Sequence, residues 1–125
     1  MKICLVDDDD VINTVHTAVI QGVSPLSEIR VFRSGAKFIQ ALKNKDLQSF
    51  HPNVVFLDIR MPEMDGFGVL EEIEKLNPPE LESAAIHVLS STLDERDLLH
   101  AKEHARVTSF IGKPLMFDQM RALLS

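Results

Sequence analysis

The 125-residue chain has a single cysteine and no long hydrophobic run. Cys4 cannot form an intramolecular disulfide, and its place in the apolar run Ile3–Val6 predicts a buried, unreactive thiol. The apolar runs are too short for a membrane span or for the hydrophobic region of a signal peptide. These features exclude a disulfide scaffold and predict a cytoplasmic protein that does not act at a membrane.

The chain is also poor in positive charge, with 13 Lys and Arg against 19 Asp and Glu and a net charge of −6. Binding to a nucleic-acid backbone depends on clustered Lys and Arg, so the balance argues against a direct nucleic-acid partner. Hydrophobic residues at 45% and charged residues at 26% are ordinary for a globular protein. The length suits one domain, which we expect to cover residues 1–125.

Five short segments rich in β-branched or aromatic residues alternate with amphipathic stretches along the chain. The segments are Ile3–Val6, Ile29–Phe32, Val54–Leu57, Ile86–Leu89 and Val107–Ile111. Stretches with helical spacing follow the first four, and Met116 to Leu124 is predicted to form a fifth helix. Strict alternation predicts a (βα)5 fold of the α/β class, with a doubly wound, parallel five-stranded sheet.

Several residues mark the ends of the predicted helices. Ser34 and Gly35 open the second helix, and Asn77 followed by two prolines ends the third. Ser91 or Thr92 is expected to cap the fourth.

Polar residues follow the predicted strands at the edge where ligands bind in sheets of this type. The first strand ends in Asp7–Asp10, the third in Asp58, the fourth in Ser90–Thr92, and Lys113 follows the fifth. In the flavodoxin-like strand order 2-1-3-4-5, strands one and three are neighbours, so Asp7 or Asp8 converges with Asp58. The rest of the run, Asp9 and Asp10, is expected to sit at a helix N-terminus.

This set of residues suits phosphoryl transfer. Converging carboxylates repel unless a cation neutralises them, and oxygen ligands with few protein donors suit Mg²⁺. Lys113 supplies a positive charge, and the Ser90 hydroxyl can donate a hydrogen bond to a phosphoryl group. Asp58 would then act as the nucleophile and form an acyl phosphate.

The motifs resemble those of response-regulator receiver domains of two-component signalling. The resemblance rests on Asp7-Asp8, the segment Asp58–Gly66, Ser90 and Lys113-Pro114, and it extends over the whole chain. Four separated motifs in the family's order are a specific signal, although no single one of them would be.

The resemblance implies a role for each matching residue. Asp58 would be the phosphoacceptor and a metal ligand, Asp8 a direct ligand of Mg²⁺, and Asp7 a ligand through water. The backbone carbonyl of Arg60 would be the remaining protein ligand. Lys113 would pair with the phosphoryl oxygens, and its bond to Pro114 would be cis.

The resemblance leaves the switch residues less defined. We take Ser90 as the switch hydroxyl because it directly follows the apolar strand, and we place one extra residue in the His104–Val107 loop. Counting back from Lys113 without a gap gives Ser91, the rival. Phe110 matches the aromatic position that turns inward when the hydroxyl moves toward the phosphate.

Two other functions use similar residues. A phosphohydrolase of the haloacid-dehalogenase type has an aspartyl nucleophile, but it places a second aspartate two residues later, where this chain has Arg60. A flavin-binding module needs a phosphate loop after the first strand, where this chain has four aspartates.

We therefore expect a phosphorylation-activated switch, limited as an enzyme to self-phosphorylation and autodephosphorylation. A sensor histidine kinase or histidine phosphotransfer protein would phosphorylate Asp58. The face formed by the fourth helix, fifth strand and fifth helix would then control an output protein. No output domain follows in the sequence, so we expect a stand-alone regulator, a phosphorelay intermediate or a receiver excised from a larger chain.

Overall fold

The computed structural model describes residues 1–125 as five strands that alternate with five α-helices. The strands are β1 Lys2–Val6, β2 Glu28–Phe32, β3 Val54–Asp58, β4 Ala85–Ser90 and β5 Val107–Gly112. The helices are α1 Asp10–Val23, α2 Gly35–Lys43, α3 Gly66–Leu76, α4 Glu95–Lys102 and α5 Phe117–Leu124. The predicted alternation is confirmed, with strand limits within a residue of those predicted.

All neighbouring strands are parallel, in the order β2-β1-β3-β4-β5. The flavodoxin-like order is therefore confirmed. In this order β1 and β3 lie side by side, with Val6 opposite Leu57. Their carboxyl ends place Asp7 and Asp58 at the same edge of the sheet.

Two hydrophobic clusters cover the two faces of the sheet. The larger packs α2, α3 and α4 against one face and includes Phe38, Leu57 and Ile73. The smaller packs α1 and α5 against the other and includes Ile20 and Met120. All five residues of β3 are buried, as expected for a central strand covered on both faces.

Two of the predicted helix limits are confirmed and one is wrong. The Ser34 side chain accepts a hydrogen bond from the Lys37 N–H at 3.1 Å and caps α2, and Asn77 ends α3 in the left-handed conformation. Helix α4 is capped by Asp94, whose carboxylate accepts from the Arg96 N–H at 2.8 Å, and not by Ser91 or Thr92. The helix cap therefore lies two or three residues later than predicted.

The pairing of β4 with β5 has one irregularity, between Ile86 and His87. Ile86 pairs with Val107 and His87 with Ser109, so Thr108 has no partner of its own in the ladder. The Thr108 hydroxyl accepts the Ile86 N–H at 3.1 Å, which satisfies the donor at this irregularity. The ladder continues in register to the pair formed by Ser90 and Gly112.

None of the helices combines the length and the apolar character that a membrane crossing requires.

Candidate functional site

The ends of β1, β3 and β5 and the loop after β4 line a cavity of about 420 Å³ at one edge of the sheet. Asp8, Asp58, Ser91 and Lys113 are among the residues that line it. The site therefore lies outside the carboxyl ends of the strands, where ligands bind in open α/β sheets.

Three carboxylates converge in this site. Asp7, Asp8 and Asp58 each place an oxygen within 4.8 Å of the others. Asp7 and Asp58 are only 4% and 2% exposed, whereas Asp8 is exposed. Oxygen-only donors on two rigid strand ends, with one open side, fit a divalent cation that keeps part of its water shell.

Lys113 lies between the two buried carboxylates. Its Nζ is 2.8 Å from Asp7 Oδ2 and 3.2 Å from Asp58 Oδ1, with 9% of its side chain exposed. Burial alone would lower the pKa of Lys113, but the hydrogen bond to Asp7 and the charge of Asp58 outweigh it and hold the pKa above its usual value. Lys113 is therefore a fixed positive charge at neutral pH.

The Asp58 carboxyl group is electrostatically disfavoured as an anion. Burial, followed by the charge of Asp7, raises its pKa to about 6, although Lys113 and a hydrogen bond from the Arg60 N–H work in the opposite direction. The Arg60 N–H donates to Asp58 Oδ1 at 3.3 Å. Positive charge added beside Asp58 would therefore stabilise its nucleophilic, ionised form.

The structure separates the Asp7–Asp10 run into different roles. Asp9 caps α1 by accepting the N–H groups of Val11 at 2.9 Å and Ile12 at 3.3 Å. Asp10 forms an exposed ion pair with Arg33 at 2.8 Å. Asp7 and Asp8 are the members of the run whose carboxylates belong to the acidic cluster, in line with the prediction that Asp9 and Asp10 belong to the helix N-terminus.

Ser90 and Ser91 have different surroundings. Ser90 is fully buried at the end of β4, and its hydroxyl donates to the Thr92 carbonyl and accepts the Thr92 N–H at 3.2 Å. Ser91 is exposed and lines the cavity. The Lys113 N–H donates to the Ser90 carbonyl at 2.9 Å, so a backbone hydrogen bond joins Ser90 to Lys113.

Arg60 and Phe110 both lie close to α4. The Arg60 guanidinium forms a salt bridge with Asp97 of α4. Phe110 is half-buried beside Leu93 and Leu98, where the structure has a second cavity of about 250 Å³. Arg60 therefore links the site to α4 through a side-chain contact, whereas Phe110 shares a cavity with residues at the start of α4.

Two residues that sequence reasoning missed also support the site. Asn13 Nδ2 donates to the Asp7 carbonyl at 2.9 Å, and His16 Nε2 accepts the Leu115 N–H at 3.0 Å. Leu115 follows Pro114, whose bond to Lys113 is cis. Both partners are backbone groups, so no residue pattern in the sequence indicated these contacts.

The family model for the response regulator receiver domain matches residues 3–125. The chain belongs to this family. Receiver domains act in two-component signalling, where phosphorylation activates them.

Curated relatives of this receiver domain include longer proteins. The probable C4-dicarboxylate response regulator DctR of Bacillus subtilis is 28% identical over 123 residues, which cover 98% of this chain and 50% of the relative. A protein-glutamate methylesterase/protein-glutamine glutaminase of Vibrio cholerae is 32% identical over 116 residues, 91% of this chain and 29% of the relative. The receiver domain thus spans at most half the length of these two relatives.

Solved structures show the same fold. A two-component response regulator from Cytophaga hutchinsonii has a TM-score of 0.88 at 28% identity, covering 98% of this chain and 92% of that one. The phosphorylated cyanobacterial phytochrome response regulator RcpA has a TM-score of 0.78 at 25% identity, covering 98% and 87%.

Proposed function

We propose that Asp58 accepts a phosphoryl group from a sensor histidine kinase or a histidine phosphotransfer protein in a Mg²⁺-dependent reaction. The observation that carries the proposal is the position of the Asp58 carboxylate. It lies at the end of β3, 3.2 Å from the Lys113 ammonium and beside two further carboxylates. RcpA, a relative of the same fold, has been crystallised in a phosphorylated form.

The transfer exchanges one bond to phosphorus for another. A carboxylate oxygen of Asp58 attacks the phosphorus of a phosphohistidine, and the P–N bond breaks. The electron pair remains on the imidazole nitrogen, and Asp58 becomes an acyl phosphate. Lys113 pairs with the phosphoryl oxygens and offsets part of the charge of roughly −2 that the group carries.

Asp7, Asp8 and Asp58 are the side chains that would hold the cation, together with the Arg60 backbone carbonyl. We assign Asp8 and Asp58 as direct ligands and Asp7 as a ligand through water. The choice of Mg²⁺ follows from the oxygen-only donor set. When bound, the ion would neutralise the carboxylates and the incoming phosphoryl oxygens.

We propose that catalysis by this domain is limited to self-phosphorylation and autodephosphorylation. A haloacid-dehalogenase-type phosphohydrolase needs a carboxylic acid two residues after the nucleophile. Arg60 occupies that position, and its side chain is paired with Asp97. We also propose that the protein acts in the cytoplasm.

We propose Ser90 as the switch hydroxyl, with Ser91 as the rival. Ser90 ends the ladder opposite Gly112, which precedes Lys113, and the choice of Ser90 supposes one extra residue in the His104–Val107 loop. To reach Asp58, the Ser90 hydroxyl must leave the Thr92 carbonyl. Phe110 would then turn inward, and the surface of α4, β5 and α5 would change toward an output protein.

The central test is labelling with acetyl phosphate in the presence of Mg²⁺. We expect one acid-stable, base-labile adduct on the wild-type protein and none on Asp58→Asn. The matched control is Asp118→Asn, which removes a fully exposed carboxylate of α5 and should be labelled like the wild type. Labelling of Asp58→Asn at the wild-type level would refute the assignment, and multiple turnovers of an unrelated phosphate ester would favour the phosphohydrolase.

The switch is tested by NMR after addition of Mg²⁺ and beryllofluoride. We expect shifts across α4, β5 and α5 in the wild type and in Ser91→Ala, and their loss in Ser90→Ala. The opposite pattern would assign the switch to Ser91, and an unchanged surface in the wild type would contradict the output face.

A further inference from the structure

Helix α1 presents two buried polar side chains toward the site. Asn13 and His16 are 6% and 2% exposed and lie three positions apart, which places them on one face of the helix. Val19 and Ile20, further along α1, pack in the apolar cluster with Leu115 and Met120. A buried polar side chain on such a face is costly unless a hydrogen bond satisfies it.

The two side chains bond to the two chain segments that carry Asp7 and Lys113. Asn13 holds the Asp7 carbonyl at 2.9 Å, and His16 accepts the Leu115 N–H at 3.0 Å. The ammonium of Lys113 in turn donates to Asp7 at 2.8 Å. These contacts join α1, the end of β1 and the segment after β5 into a closed ring.

We propose that His16 is a positioning residue for Lys113 in the phosphotransfer reaction. By accepting the Leu115 N–H, it fixes the segment that holds the ammonium between Asp7 and Asp58. The proposal rests on the proposed function of Asp58.

The segment Lys113–Leu115 is held by few backbone hydrogen bonds. The Lys113 N–H donates to the Ser90 carbonyl at 2.9 Å, and Pro114 has no N–H. The next donor is the Leu115 N–H, so His16 supplies the first hydrogen bond after the lysine. Leu115 is fully buried, and without His16 its N–H would have no access to water.

His16 is suited to be an acceptor. Burial lowers its pKa, although the charge of Asp7 works in the opposite direction. The imidazole is therefore neutral at pH 7, with an unprotonated Nε2 that can accept a hydrogen bond. An apolar side chain would fill the space without holding the segment.

The test compares two substitutions of His16 with one of His87. His16→Gln keeps a hydrogen-bond acceptor for the Leu115 N–H, whereas His16→Leu keeps only a side chain of similar volume. His87 is the matched control because it is also buried, at 4% exposure, and bonds to Ser109 away from Lys113. Each variant is labelled with acetyl phosphate and Mg²⁺, and the Lys113 ammonium signal is followed by NMR in the metal-free protein.

We expect His16→Leu to be labelled roughly tenfold more slowly, or worse, since small displacements of a positioned group have large effects on rate. His16→Gln should stay within about threefold of the wild type, and His87→Leu should match it. Because Lys113 is buried and bonded to Asp7, we expect its ammonium signal to exchange slowly in the wild type and to disappear only in His16→Leu. If that variant does not fold, His16→Phe gives the same comparison, because it keeps a planar ring and has no nitrogen that can accept the hydrogen bond.

Wild-type labelling of His16→Leu with an intact ammonium signal would overturn the proposal. Labelling that is slowed equally in His16→Gln or in His87→Leu would also overturn it, because loss of the hydrogen-bond acceptor at position 16 would then not explain the slower labelling. If the wild type is not labelled at all, the proposed function fails, and the ammonium signal alone decides whether His16 positions Lys113.

Discussion

Removing the charge of Asp58 should stabilise the metal-free protein at neutral pH. Burial, with Asp7 beside it, raises the pKa of Asp58 to about 6, compared with an ordinary value of 3.8. Between these two pH values the native state binds more protons than the unfolded state, so stability falls as the pH rises. Above pH 6 Asp58 is ionised in the native protein, and the free energy of unfolding is lowered by the full cost of burying this charge.

The size of the effect follows from the shift. One pKa unit corresponds to about 1.4 kcal/mol, and after an allowance for solvent screening we expect a difference of about 2 kcal/mol. Asp58→Asn has nearly the same shape and cannot ionise. For a chain of this size, the melting temperature of this variant should exceed that of the wild type by roughly 6–10 °C at pH 7.

The assay is urea unfolding with a chelator present, at several pH values between about 3 and 7. Because the chain has no Trp and no Tyr, far-UV circular dichroism is the suitable signal. The variant and the wild type should differ by a constant amount below pH 4, and the advantage of Asp58→Asn should grow as the pH rises to 6. Asp118→Asn, at an exposed position, should show no such growth. Equal pH dependence of wild type and Asp58→Asn would refute the reasoning.

Two further predictions concern a glycine packed against the end of β3 and the buried cysteine of β1. Gly66→Ala would place a Cβ 2.6 Å from the Asp58 carbonyl oxygen, so urea unfolding should show a loss of roughly 1–3 kcal/mol and acetyl phosphate should label the protein more slowly. Burial raises the pKa of the Cys4 thiol to about 12, so a thiol reagent should label it in denaturant but not in native buffer at neutral pH. Wild-type stability of Gly66→Ala, or rapid labelling of Cys4 in the native protein, would contradict these expectations.

The fold could be predicted because its signals are local. Each strand is a short apolar run, and Ser34 and Asn77 mark helix ends through their own hydrogen bonding and backbone conformation. The start of α4 could not be predicted as reliably. Ser91, Thr92 and Asp94 are all good capping residues, and only the path of the loop decides which of them meets a free N–H group.

The site was predictable to the extent that it depends on strand ends. The convergence of Asp7, Asp8 and Asp58 follows from the parallel order of β1 and β3. His16 was not predictable, because its partner is a backbone N–H 99 positions away. Every residue except proline carries such a group, so the sequence contains no signal for the contact.

The run Asp7–Asp10 shows how the same residue type acquires different chemistry within one turn of chain. Asp7 continues the direction of β1 and lies buried against Lys113, where an isolated carboxylate would be too costly. Asp9 meets the free N–H groups of α1, and Asp10 turns toward Arg33 in solvent. Asp8 alone is exposed within the acidic cluster, and it forms no salt bridge. Asp8 can therefore bind an external cation without breaking an ion pair of its own, which supports the proposal, first implied by the family resemblance, that it is a direct ligand of Mg²⁺.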